Sequence, residues 1–410
     1  MGAVGAGRRG SVSAIARRDG AAEPSQVRIA LRRSRAFPYR DNSLNLFRLI
    51  LAFLVLFAHG YYVVGRSDSP GFNGENLGGW AVIGFFVISG FLITRSRFRS
   101  NPGTFLLHRI ARIMPAFVVC LVMTAFVFGP IAQVLTHGTI AGYFSNGPTP
   151  LEYIWGNLFL HVDHYQIGAS LSDVPYPDAW NGSLWTLYFE FLCYLTVWLL
   201  GGLAIYRKSI SVVAVLWMLS VLVRIAFASG ITGGLDGDFG LFTRLLPYFL
   251  GGSLIYLVVQ RWGLSPILGI ASIPLAGVLM VFVPIAGGPL AAPLIGYALL
   301  YLSTVVPQPA WIARNDVSYG FYIYAWPVQQ LTVIVGGAAF GMGVYLAITT
   351  IATFLLGWAS WMLVERHFIR LARGSAPPSG TTLNENAATT DAGAPRATDG
   401  AAGAGTSAPL

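Results

Sequence analysis

Apolar residues run through this chain in blocks of about twenty, separated by short polar stretches, and no block alternates with the period of two that marks a half-buried strand. A helix that spans a bilayer needs about 20 consecutive apolar residues. Ten stretches satisfy that requirement, at about 44–65, 79–96, 104–129, 184–205, 209–229, 241–260, 264–284, 286–306, 317–336 and 340–364. The pattern predicts an all-α, polytopic membrane protein of about ten transmembrane helices. The longest interruption, about 130–183, is expected to be a single outer loop. Residues 1–40 are rich in Gly, Ala, Arg and Ser and contain no apolar core of a secretory signal, so they are expected to be a disordered tail. Residues 373–410 are Ala, Gly, Thr, Ser and Pro without period and are expected to be a second disordered tail. The functional domain is then 41–372, and it shows no internal repeat.

Composition excludes the main alternatives. The chain of 410 residues is 55% hydrophobic and only 10% charged, too few charges to coat an ordinary soluble protein, where about 25% is usual. The net charge of +9 is uneven. Nine Arg fall in residues 1–40, against Asp19 and Glu23, just ahead of the first apolar block. That position suits anionic lipid head groups, so the partner expected of the basic charge is the lipid bilayer and not nucleic acid. Basic residues also alternate with loop number. One set of loops carries Arg95, Arg97, Arg99, Arg109, Arg207, Lys208, Arg261, Arg314, Arg366, Arg370 and Arg373, whereas 130–183 has no Lys or Arg. By the positive-inside rule both termini are cytoplasmic. One Lys against 25 Arg, with abundant Ala and Gly, fits a GC-rich bacterial genome and hence a bacterial cytoplasmic (inner) membrane.

Ionisable side chains within spanning helices are costly and mark function by default. Arg48 and His59 lie eleven residues apart on the first span, close to three helical turns, and so share a face. Glu190 lies in the fourth span, at a depth that the span boundaries make similar to that of His59. A carboxylate beside an imidazole fixes its tautomer and supports a general base. Arg109 and Arg112 form R-I-A-R on one face of the third span. Each group admits a plainer reading: a packing role for His59, a Glu190–Arg224 pair, and topology determinants for the arginines. Gly84 and Gly90, around Ser89, would allow close approach of either a helix or a ligand. His137, His161 and His164 in the outer loop match no compact ligand spacing, and Cys120 and Cys193 lie inside apolar runs, so neither a metal site nor a disulfide framework is expected.

Taken in order, NSLNLFRLILAFLVLFAH (42–59), GFFVISGFLIT (84–94), HRIARIMPAF (108–117), NGSLWTLYFEFLCYL (181–195) and SYGFYIYAWPV (318–328) resemble the acyltransferase-3 family of integral-membrane O-acyltransferases. The resemblance implies a ten-helix core that moves an acyl group, commonly acetyl from cytoplasmic acetyl-CoA or another acyl-CoA, onto a hydroxyl of a carbohydrate or glycolipid. It implies a catalytic role for His59 and donor binding by Arg109 and Arg112; the positions of the ionisable groups add Glu190 as the partner of His59 and Arg48 as a further donor contact. Ser89, Trp185 and Tyr188 are expected to shape the acceptor pocket. The family often has a histidine before the Trp-Pro of its late motif; here that position is Ala325. The competing class is a proton-coupled exporter of saccharides or small molecules, with His59 and Glu190 as the proton relay.

Overall fold

A computed structural model describes residues 34–177, 179–230 and 237–374, and a helix occupies each of the ten apolar stretches. In chain order they are α1 (Leu44–Val63), α2 (Leu77–Arg99), α3 (Pro102–Met123), α6 (Trp185–Leu200), α8 (Ile210–Ala228), α9 (Asp238–Trp262), α10 (Pro266–Phe282), α11 (Gly287–Val305), α13 (Ser318–Ile334) and α14 (Met342–Ser360). Shorter helices lie between and after them: α4 (Gly129–His137), α5 (Pro150–Asn157), α7 (Ala204–Lys208), α12 (Ala310–Arg314) and α15 (Arg366–Gly374). Seven of the helical runs are long and apolar enough to cross a membrane unaided. The protein is a multi-pass, all-α membrane protein. The two expected tails lie mostly outside the described residues, but Arg35 pairs its backbone with Leu264, and Phe37 is buried. Residues 35–37, expected to belong to the N-terminal tail, are therefore tied to the helical bundle.

Three spans are short, at 16 residues for α6 and 17 each for α10 and α13. For α6 the reason is the loop before it. Trp180, Asn181, Ser183 and Leu184 are buried, so this segment dips into the bundle and α6 begins below the surface. For α13 the reason is its position. Every residue from Val317 to Gln330 is buried, so the helix meets protein on all sides and does not have to match the bilayer thickness. α2 and α9 pack along each other in the centre, where α9 is 78% buried over its apolar window; α8, at 17%, faces outward. Its exposed Val215, Leu219 and Leu222 belong against lipid. At Gly90 and Gly252 this central pair is so close that a Cβ would collide with the other helix's backbone. A Cβ at Gly84 would meet Leu51 of α1. These glycines serve helix packing.

Two π-helical turns alter the predicted boundaries. Thr124–Phe128 joins α3 to α4, making one run of 36 residues from Pro102 to His137, so the helix enters the expected 130–183 loop. The Tyr143 hydroxyl donates to the Ala125 carbonyl within that wider turn, 2.7 Å away. The second, Trp361–Glu365, joins α14 to α15 and turns Glu365 inward. The strands are confined, among the described residues, to a two-stranded hairpin, β1 (Gly71–Phe72) and β2 (Glu75–Asn76). Its Asn73-Gly74 turn has φ of 50° and 78°, the positive values such a two-residue turn requires.

Candidate active site

Two cavities lie along the bundle, with a narrow space between them. The larger, about 780 Å³, is lined by seven arginines (Arg48, Arg109, Arg112, Arg314, Arg366, Arg370 and Arg373) against two carboxylates, Glu190 and Asp316. It gathers the starts of α1, α3 and α13 with α15, which places all of these at one end of the molecule. Here the two arginines of R-I-A-R separate. The Arg112 guanidinium donates to Glu365 Oε2 and to Asp316 Oδ2, each at 2.7 Å, and Arg48 also binds Asp316 Oδ2. Ser318 and Ser360 donate to the second oxygens of the two carboxylates. Arg112 thus ties α3 to the ends of α13 and α14. Arg109 forms no ion pair among the described residues, and its buried Nε has no hydrogen-bond partner.

The second cavity, about 260 Å³, contains His59 with Tyr62, Glu75, Asn76, Thr186, Arg244, Tyr322 and Trp326. The Trp326 ring stands edge-on to the His59 imidazole, with centroids 4.8 Å apart, and its Nε1 donates to the Ala179 carbonyl at 2.8 Å. Gln330 donates to the same carbonyl. The buried segment before α6 therefore fixes the indole, and the indole packs the imidazole. The intervening space, about 40 Å³, shares Arg48, Glu190 and Tyr319 with the arginine-rich cavity and Val82, Thr186 and Tyr322 with the His59 cavity. Tyr322 lines it, donating to the Ser183 carbonyl at 2.9 Å while its oxygen lies 2.6 Å from the Thr186 hydroxyl.

Helical spacing explains why this path exists. On α13, Tyr319, Tyr322 and Trp326 follow i, i+3, i+7 and form one stripe from the first cavity to the second. On α6, Thr186, Glu190 and Tyr194 follow i, i+4, i+8 and do the same in the opposite direction. On α1, Arg48 and His59 stand about 16 Å apart along the axis, one at each cavity.

The structure divides the predicted site residues among separate places. His59 lies in the second cavity; Arg48, Arg109 and Arg112 lie in the first. Glu190 does not meet His59. It lines the arginine-rich cavity and the narrow space, and its Oε1 accepts from Ser89 at 2.8 Å and Tyr194 at 2.7 Å. Depth alone misled the expectation, because α6 starts below the surface and carries Glu190 deeper than a span beginning at the interface would. Nor does Glu190 pair with Arg224, which lies with Arg244 in another pocket. The three expected acceptor residues also part. Ser89 lines the arginine-rich cavity, Trp185 the His59 cavity, and Tyr188 a third cavity beyond Trp185. Ala325 is buried against Ala52, Leu56 and Phe321, so it faces α1 and not the His59 cavity. His161 binds Asp163 and Asp238, whereas His137 binds the Ala169 carbonyl. No group of three or more metal-ligating side chains occurs among the described residues, and Cys120 and Cys193 are buried free thiols.

Sequence reasoning missed Glu75. This is the carboxylate that shares a cavity with His59, held there by Arg244 and delivered by the hairpin. The Asn-Gly turn signal in F-N-G-E marks that hairpin. Asp316 and Glu365 were missed as well; both sit at helix ends far in sequence from Arg112, where no periodicity reports them.

The chain is similar to known proteins over most of its length. The sequence profile described as an acyltransferase domain matches residues 41–362, nearly the whole helical region. The chain belongs to the acyltransferase-3 family. An O-acetyl transferase of Shigella phage Sf6 is 30% identical over 352 residues, covering 81% of this chain and 97% of that protein. Nodulation protein 10 of Rhizobium leguminosarum bv. viciae is 27% identical over 365 residues, covering 80% of this chain and 94% of that protein. No solved structure matches the chain. This acyltransferase is therefore an O-acetyltransferase-type membrane enzyme, and the exporter reading gives way to it.

Proposed function

We propose that this membrane acyltransferase moves an acyl group, in the first instance acetyl, from acyl-CoA bound in the arginine-rich cavity to a hydroxyl of a carbohydrate or glycolipid in the His59 cavity. The observation that carries this reading is the path itself. A cavity with unpaired cationic groups is linked by three helix stripes to a cavity with one imidazole. The phosphates of coenzyme A suit Arg109 and the flanking Arg366, Arg370 and Arg373, where charge-assisted hydrogen bonds are strong. The thin pantetheine arm would extend along Tyr319 and Tyr322, spanning the interval between Arg48 and His59. His59 would take the proton of the attacking hydroxyl as the ester C–O bond forms. The thioester C–S bond breaks, and that proton passes to the departing thiolate. Glu75, the carboxylate of the same cavity, would stabilise the imidazolium, the role expected of Glu190. A saccharide acceptor is supported by the nodulation protein among the relatives. The positive-inside pattern supports the arginine-rich end facing the cytoplasm, across a bacterial inner membrane.

The test is reconstitution. Proteoliposomes given labelled acetyl-CoA on the arginine-rich side and a saccharide panel on the other should transfer label to saccharide and release free coenzyme A in equal amounts. Label transfer that persists in His59→Ala, or no transfer and no coenzyme A release by folded protein, would contradict the proposal.

A further inference from the structure

Trp185 has a second neighbour. Its indole lines the His59 cavity on one side and, on the other, a cavity of about 330 Å³ walled by Tyr165, Tyr188, Phe189, His161 and Asp238. Three elements build that wall: the loop after α5, the start of α6 and the start of α9. They are joined at His161, whose Nδ1 lies 2.7 Å from Asp163 and whose Nε2 lies 2.9 Å from Asp238. The rings brace one another edge-on, His161 on Tyr188 at 5.0 Å, Tyr188 on Phe189 at 5.2 Å and Trp185 on Phe189 at 5.7 Å. The wall contains aromatic faces, a carboxylate and an imidazole, and no Lys or Arg. Aromatic bodies with polar tips suit a ligand that has an apolar face and a hydroxylated edge. A neutral sugar ring is such a ligand; a phosphate or an acidic sugar would meet the Asp238 carboxylate, and the wall's one imidazole, His161, is already bonded on both nitrogens by Asp163 and Asp238. At this volume the cavity falls within the range of small-ligand sites.

We infer that this cavity is a subsite for the sugar next to the one acylated, with Trp185 as the partition between the two rings. The inference rests on the acyltransfer reading above and deepens it. The acceptor is a neutral oligosaccharide or polysaccharide segment of at least two sugars, one in each cavity. Tyr188, Tyr165 and Asp238 then determine acceptor specificity without touching the reacting atoms.

The test compares chain lengths. Wild-type protein in nanodiscs is titrated with glucose, N-acetylglucosamine, galactose and rhamnose and with a homologous tetrasaccharide of each. Binding is read by saturation-transfer NMR, and acetyl transfer from acetyl-CoA is measured on the same samples. At least one tetrasaccharide should bind about tenfold or more tighter than its monosaccharide, the gain of one further stacked ring. In Tyr188→Ala, and in Asp238→Asn, which preserves side-chain size and guards against a folding defect, that length ratio should fall about tenfold, through binding and KM and not through kcat. Equal binding of short and long acceptors, a ratio unchanged in both variants, or no binding of any tetrasaccharide would overturn the subsite. Transfer with a flat length ratio removes the subsite and leaves the acyltransfer reading intact. Length-dependent binding without transfer does the reverse.

Discussion

The arginine-rich cavity and the His59 cavity use polar chemistry in opposite ways. At the arginine-rich end the charges are many, and most of the fixed structure consists of ion pairs: Arg48 and Arg112 on Asp316, Arg112 on Glu365. At the His59 end a single imidazole packs on the edge of the Trp326 ring, which a backbone carbonyl fixes in turn, with one carboxylate–arginine pair nearby. The first arrangement suits a polyanionic ligand that must be gripped and released, because exchangeable charges are abundant and Arg109 is left over. The second suits proton transfer, which needs one basic atom positioned within a site that excludes most water. A pair such as R-x-x-R, uniform in sequence, is split by the first arrangement into Arg112, held in ion pairs, and Arg109, which forms none among the described residues and is the one proposed to bind the donor.

Substitutions can break that comparison. His59→Ala should lower acyl transfer by about 10²–10⁴-fold, the usual worth of a general base, while acyl-CoA binding stays as in wild type. Steady-state transfer assays beside titrations check both halves. Arg112→Ala should act mainly on stability. It leaves Glu365, whose side chain has no exposed surface, without its cation, and breaking a buried pair costs about 3–5 kcal/mol. Thermal unfolding in detergent should show a large drop in midpoint. Arg109→Ala should leave the midpoint nearly unchanged and weaken acyl-CoA binding about 10–100-fold, the loss of a charge-assisted hydrogen bond of about 1.5–3 kcal/mol.

The smallest effect concerns pH at the far end. Burial lowers the His161 pKa, but the hydrogen bonds its ring donates to the Asp163 and Asp238 carboxylates outweigh it, and the net shift is upward from 6.5. A group whose folded-state pKa is raised contributes its stability in full below the unfolded value and loses it as pH rises through the folded value. The clasp between the loop after α5 and the start of α9 should therefore loosen above neutral pH. Hydrogen exchange of residues 158–165 should quicken there in wild type, and that pH step should vanish in His161→Gln.

Which features were legible follows from what lipid and water enforce locally. Uninterrupted apolar runs are required of any spanning helix, so all ten stretches could be read from the chain, as could the His59 and Arg48 interval on one helix. Contacts between helices carry no such local signature. Arg112 meets Glu365 across 253 residues and Asp316 across 204, and nothing in W-M-L-V-E announces that a π turn will direct its glutamate inward. Glu190 shows the limit of one-dimensional depth. Its position relative to the membrane was read from a boundary taken to lie at the surface, and the helix, which starts at Trp185, begins below it because Trp180, Asn181 and Leu184 are buried ahead of it. Glu75 went unread because it sits outside every apolar block, on a hairpin whose turn signal covers only two residues.

The central claim is that donor grip and proton transfer reside in different cavities. Calorimetric titration of acetyl-CoA into nanodisc-reconstituted wild type, His59→Ala and Arg109→Ala tests it most directly. Wild type should bind saturably, His59→Ala with unchanged affinity, and Arg109→Ala at least about tenfold more weakly. Absence of binding by folded wild type, or binding that disappears with His59 and survives loss of Arg109, would contradict it.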